Sequence, residues 1–137
     1  MSKLLQRLQD AKRSGVYRVR RTDEVLEATR GSALDVVQIG FNDKNDFLAG
    51  ISSALAFPDW FGRNWDALED CLADLSWRPA AGHVLLLSGA PAGDERGILL
   101  DVLGACAESW AARGRPFFAV FVDPNRELAL PELFREK

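Results

Sequence analysis

The sequence predicts an α/β protein, a small and mostly parallel sheet with helices packed on it. Three observations carry this. Strand-like and helix-like stretches alternate in the order β-α-β-α-α-β-α-β, and strands joined through helices pair in parallel. The run His83-Val84-Leu85-Leu86-Leu87-Ser88 is apolar, of strand length and bounded by Gly82 and Gly89, the pattern of a strand covered on both faces. The 137 residues, 47% apolar and 27% charged, suffice for one domain with its own core.

Taken in order, Met1 to Ser14 reads as a weak helix or a loose arm, with Leu4, Leu5 and Leu8 marking an amphipathic turn. Val16 to Arg20 alternates and favours a strand. Thr22 can cap a helix running to Thr29, with Asp23 and Glu24 in its first turn and Gly31 after it. Leu34 to Ile39 is a second strand. A helix opens at Asn42 or Asp43, buries Phe47, Leu48, Ile51, Ala54 and Leu55, and stops before Pro58. Phe57 to Arg63 is a loop, since Pro58 cannot continue a helix and Gly62 tolerates backbone angles other residues avoid. Asn64 is a good N-cap for a helix to about Leu75. After a turn over Trp77 to Gly82 comes the buried strand. A long helix from Asp94 to Arg113 then turns Ile98, Leu99, Val102, Leu103, Cys106 and Trp110 inward. Pro116 to Val122 is the last strand, Asp123-Pro124-Asn125 breaks it, and the tail carries a turn and a short helix from Pro131.

Several function classes fall away. No run of 18 apolar residues offers a membrane-spanning helix, and Met1 to Asp10 is polar and basic, unlike a secretory signal. Two cysteines and one histidine make neither a metal pattern nor a disulfide framework, and two buried free thiols suit a reducing, cytoplasmic setting. The single His83 has no nucleophile beside it in sequence and reads as a partly solvated strand-end residue. Gly89-Ala90-Pro91-Ala92-Gly93 lacks the lysine and spacing of a phosphate loop. Met1 to Arg21 holds seven basic residues and one acid. Leucines interrupt this run, which reads as a solvated end balancing an acidic middle, with no direct contact to nucleic acid.

The charge elsewhere is concentrated. On a helical wheel Trp65, Leu68, Leu72 and Leu75 share one face, flanked by Ala67 and Cys71, while Asp66, Glu69 and Asp70 fall opposite. Asp66 and Asp70 are four apart, a like-charge spacing that costs a helix a few tenths of a kcal/mol. With Asp59 and Asp74 against Arg63 alone, Asp59 to Asp74 carries −4, more than the −3 of the whole chain. A solvated helix face is the plain reading. Trp60 and Phe61, an aromatic pair beside the acids, favour a recognition surface instead. Two carboxylates from one helix make a poor cage for a hard cation and have little reason for the pKa shifts of an acid/base pair.

The stretch resembles the barstar family, small intracellular inhibitors of secreted ribonucleases. The resemblance lies in Leu55-Ala56-Phe57-Pro58, then an acid, two aromatics, Gly62 and Asn64, then Asp66-Ala67-Leu68 and Asp70-Cys71-Leu72, and in the strand and helix order from Leu34 to Val122. It implies a barstar-like, three-layer α/β domain over residues 34–123. Residues 1–33 would add a strand and a short helix to that same domain, and 124–137 would form a tail. It implies a binding protein rather than an enzyme, with no catalytic residues, cofactor or metal. By resemblance the partner-binding residues are Trp60, Phe61, Arg63, Asn64, Asp66, Glu69, Asp70 and Asp74, on a loop shaped by Pro58 and Gly62. Asp66 and Asp70 match the family's two acidic helix contacts and Trp60 its loop aromatic. Arg63 and Glu69 depart from the best-known member, which has an acid and a Trp there. Ser109 or Ala112 stands where that member has an acid near the end of the long helix, with Glu108 one step away. These departures bear on which partner is bound more than on how. The implied partner is a basic protein, a ribonuclease, bound by a chain that is monomeric when free and touches no membrane. The alternative is an immunity or adaptor module of the same fold whose basic partner is not a ribonuclease.

Overall fold

A computed structural model describes residues 2–134. Helix α1 is Lys3–Leu8, and a 3-10 turn follows at Ala11–Arg13. Strand β1 is Gly15–Val19, α2 is Thr22–Thr29, β2 is Leu34–Gly40 and α3 is Lys44–Ala54. Then come α4 (Trp65–Asp74), β3 (Gly82–Ser88), α5 (Asp94–Ala112) and β4 (Phe117–Val122). The sheet order is β1-β4-β3-β2, and every pair in it is parallel.

Alternation along the two central strands builds a three-layer α/β fold. Leu85 and Leu87 of β3 with Phe117, Ala119 and Phe121 of β4 face one way, onto α3, α4 and α5. Val84, Leu86, Phe118 and Val120 face the other way, onto Leu8 of α1 and Val25 of α2. The amino-terminal segment therefore adds an edge strand and covers the second face of the sheet.

The structure corrects several expectations. Of the two readings of the arm before Gly15, the helix holds and the loose arm does not: Ser2 caps α1 through a 2.9 Å bond from the Leu5 amide, and Leu8 is fully buried. Thr22 is the first residue of α2 and not its cap; Arg21 holds the cap position and offers no side-chain bond. The tail forms no helix from Pro131 among the described residues. It runs along the free edge of β1, where the Arg18 amide donates to Pro131 O (2.9 Å) and the Leu133 amide to Arg18 O (2.9 Å). An unpaired strand edge is a stronger claim on these backbone groups than local helix propensity. Ile98 was placed inward but is 40% exposed, because α5 buries Leu99, Val102, Leu103, Cys106, Ala107 and Trp110 instead. His83 was expected to be partly solvated. It is only 2% exposed, since β3 is a central strand and α5 covers its start.

Candidate protein-binding surface

The acidic helix is held at both ends. At its start, Asn64 Oδ1 accepts from the Ala67 amide at 2.7 Å, the cap read from the sequence. Asn64 Nδ2 also donates to Gly62 O at 3.3 Å, and a Cβ on Gly62 would lie 3.2 Å from that nitrogen. A side chain at Gly62 would therefore press on the Asn64 side-chain amide. The backbone angles that glycine tolerates are not used at Gly62; the left-handed residues are Arg63 (φ 52°) and Ala56 (φ 52°). Two non-glycine residues in that region bracket the loop, each at a cost of about 1–2 kcal/mol.

At its end, α4 hands its last carbonyls to α5. Leu75 is left-handed (φ 46°) and its amide bonds Cys71 O at 3.1 Å. The Trp110 indole donates to Leu72 O at 2.8 Å, and Arg113 Nη2 donates to Ala73 O at 2.6 Å. The Arg113 guanidinium also stacks 3.9 Å over the Trp110 ring. A cation at a helix carboxyl end is favourable by about 0.3–1 kcal/mol. Sequence reading placed Trp110 inward without giving its N–H an acceptor and gave Arg113 no role. A buried indole needs such an acceptor, which was the available signal.

Between these anchors Leu68, Leu72 and Leu75 are buried in the main core, and Cys71 is buried beside them in sequence. Asp66, Glu69, Asp70 and Asp74 are all exposed, and among the described residues no salt bridge involves them or Asp59. Their field is felt inside the helix. Burial first, and then Asp70 and Asp74, push the Cys71 thiol up. Burial, Glu69 and Asp70 push Cys106 up to about 12, against a smaller opposing effect of Arg113. Both sulfurs are buried, neutral thiols, unsuited to nucleophilic chemistry.

The loop separates the aromatic pair. Trp60 is 60% exposed. Phe61 is half-buried: its ring meets Phe57 edge-on at 4.8 Å, and Phe57 meets Trp77 at 6.1 Å. Trp77 Nε1 in turn bonds Leu55 O at 3.0 Å. Phe57, Phe61 and Trp77 pack together and leave Trp60 exposed in the loop that leads into α4. Of the aromatic pair read as part of a recognition surface, Phe61 is drawn instead into the loop's own packing. Pro58 O accepts from the Phe61 amide at 3.0 Å, closing the turn, while Arg63 is exposed.

Beside the carboxylates lies an open groove of about 600 Å³, whose walls include Lys44, Trp65, Asp66, Ala67, Asp70 and Ile98. Lys44 Nζ sits 5.3 Å from the Trp65 ring centroid. Ser109 and Ala112 do not supply an acid near the end of α5. Ser109 Oγ accepts from Arg113 at 3.2 Å, so a cation stands at that border, and Glu108 is exposed one position before.

A second titratable group lies at the amino ends of β2 and β3. Asp35 is bonded by Arg78 through both its oxygens and by His83 Nδ1 at 3.2 Å, and the His83 ring lies 5.3 Å from Trp110. Burial alone would raise the Asp35 carboxyl, but Arg78 and His83 outweigh it and hold it below its ordinary value. Burial, helped by Arg78 and Arg115, lowers His83 against the pull of Asp35. This cluster ties the sheet to Trp110, and so to the end of α4. Among the described residues no group of three or more His, Cys, Asp or Glu is placed to hold a metal ion, and no helix is long and apolar enough to cross a membrane.

Fold and surface together define a small three-layer α/β protein that displays an acidic helix anchored at both ends and preceded by a loop with an exposed tryptophan. A family model described as Barstar (barnase inhibitor) matches residues 33–122, well over half of the chain. The chain belongs to the barstar family. No curated protein and no solved structure matches it.

Proposed function

We propose that this chain is a proteinaceous inhibitor of a ribonuclease, a binding protein rather than an enzyme. It would cover a basic RNA-binding active site with the outer face of α4 and the adjacent loop. The observation that carries this is the row of exposed carboxylates on a helix fixed at both ends, in a chain of the barstar family. A ribonuclease site is lined with cations that hold phosphates and stabilise charge in phosphoryl transfer. Carboxylates can take the phosphate positions and form charge-assisted bonds with Arg and Lys. Trp60 would supply an apolar anchor beside them. The complementary fields would also speed encounter in a salt-dependent way. The chain would act as a monomer in the cytoplasm, where its two buried thiols stay reduced.

A second reading is favoured by one observation. Arg113 at the end of α4 and Arg63 in the loop put cations at two borders of the acidic face. They suit a basic partner with acidic rims, which need not be a ribonuclease. A pull-down from the source lysate and culture medium, with the natural chain and with Asp66→Ala/Asp70→Ala, separates these. A retained protein that cleaves RNA after dissociation, and that the double variant does not retain, supports the inhibitor. A retained protein without RNA cleavage overturns it in favour of the second reading.

A further inference from the structure

We propose that the free edge of β2 pairs with β2 of a second copy of this chain, antiparallel and about a two-fold axis at Val37, so that two four-stranded sheets join into one. The pairing goes beyond the reading of α4 and leaves it standing. It uses another part of the chain and forms as concentration rises, so the dilute chain is still a monomer.

The two edges of the sheet differ. β1 is closed by the tail, through the bonds of Arg18 with Pro131 and Leu133. β2 lies at the other end of the order and pairs with β3 alone. A strand residue turns its N–H and C=O to one side, and the next residue turns them to the other. Ala33 O accepts from the Ala81 amide and the Phe41 amide donates to Ser88 O, so the odd-numbered residues of β2 face β3. Leu34, Val36, Gln38 and Gly40 face outward. Ser32 Oγ takes the Leu34 amide at 3.3 Å, and among the described residues no loop, helix or side chain bonds the amide or carbonyl of Val36, Gln38 or Gly40. Proteins blunt such an edge with Lys, Pro or a bulge. β2, Leu34-Asp35-Val36-Val37-Gln38-Ile39-Gly40, has none of them, and its register with β3 runs without a gap. Its one charge, Asp35, is held by Arg78 and His83.

A second β2 is the strand that fits. With the axis at Val37, Val36 lies opposite Gln38 of the second copy and Leu34 opposite its Gly40. Outward donors then meet outward acceptors in about six ladder bonds. Asp35 lies opposite Ile39 of the second copy, so the two carboxylates stay apart. Arg30 stands before β2 and Asp43 after it, both exposed and in no salt bridge among the described residues. Antiparallel pairing brings Arg30 of one copy to the end that carries Asp43 of the other, and the two-fold repeats that pair of opposite charges. α3 passes close over β2, where a Cβ on Gly50 would lie 3.9 Å from Ile39. Its exposed Ala49 and Ser53 are small enough for two copies of this helix to lie side by side.

The test uses the full chain. Sedimentation equilibrium from about 1 μM to about 1 mM should carry the mass from the 15.1 kDa of one chain toward twice that value. Hydrogen exchange by NMR identifies the surface. The amides of Val36, Gln38 and Gly40 should gain protection with concentration, while those of Val37 and Ile39, turned to β3, are protected throughout. Gln38→Pro removes an outward donor and no bond to β3, and should weaken pairing about ten- to hundredfold, because the pair loses two ladder bonds. Gln38→Lys keeps the donor, places a lysine on the edge and should weaken pairing about threefold or more; it serves where the proline variant does not fold. The mass of one chain across the whole range overturns the proposal. A doubled mass with the three outward amides unchanged, or with equal pairing by Gln38→Lys, overturns it in favour of another contact.

Discussion

Trp110 is the side chain through which core and binding helix are joined, and Trp110→Phe tests that joint. The residue is 5% exposed, donates to Leu72 O at 2.8 Å, supports Arg113 on its face and touches His83. Phenylalanine keeps most of the apolar contact and removes the donor. Leu72 O is then a buried acceptor without a partner, a loss of about 1–3 kcal/mol. The smaller ring leaves a gap and a weaker platform for Arg113, adding about 1 kcal/mol. The expected total is about 2–4 kcal/mol, a large share of the ~5–15 kcal/mol that holds a domain of this kind. Urea unfolding measures it as a lower midpoint at an unchanged slope. Hydrogen exchange should show the last turn of α4 opening more readily while the β3 and β4 amides keep their relative protection. A loss below about 0.5 kcal/mol, the range of inert surface changes, would refute the view that the indole holds the end of α4.

Four further outcomes are expected. Asn64→Ala removes the cap of α4 and should cost about 0.5–2 kcal/mol of stability by thermal or urea unfolding. Arg63→Gly relieves a left-handed non-glycine, and should gain about 0.5–1 kcal/mol after the added entropy of the unfolded chain is counted; a loss of stability would contradict the assigned backbone. Acid should destabilise the fold in two steps. His83 is lowered in the folded state, so its contribution is complete above its ordinary value of about 6.5 and is lost as pH falls through its folded value. Asp35 is lowered too, so its contribution is complete above about 3.8 and fades as pH falls through its own folded value. Urea midpoints that stay level between about pH 7.5 and pH 5 would contradict the first step. Asp70→Ala should cost about 2–5 kcal/mol of partner affinity by calorimetry, with the unfolding midpoint almost unmoved, because truncation strands a charge on the partner.

Most of the framework was legible because periodicity is a local signal. The four strands, the cap at Asn64 and the acidic face of α4 follow from residue types at fixed spacings. What was missed depends on groups far apart in sequence. Phe61 looks like Trp60 in the chain, and only the position of Phe57 and Trp77 decides which ring packs. The tail took an edge-strand position because β1 offered unpaired backbone groups, a demand invisible from Pro131 to Phe134 themselves. His83 was misjudged for a related reason: strand ends are solvated at a sheet edge but not in a central strand under a helix. Ile98 and Lys44 could not be assigned to one groove before α3, α4 and α5 were placed together. Gly62 and Arg63 show the limit of composition, since glycine tolerates unusual torsions but it is its neighbour that adopts them.

The most direct measurement is an inhibition titration of the ribonuclease retained in the pull-down. Its RNA cleavage would be followed as the natural chain, or the Asp66→Ala/Asp70→Ala variant, is added. If α4 blocks the site, cleavage falls to baseline at one equivalent of the natural chain, and the double variant leaves it largely intact at the same concentration. Equal inhibition by the variant would contradict an acidic helix standing in for RNA phosphates.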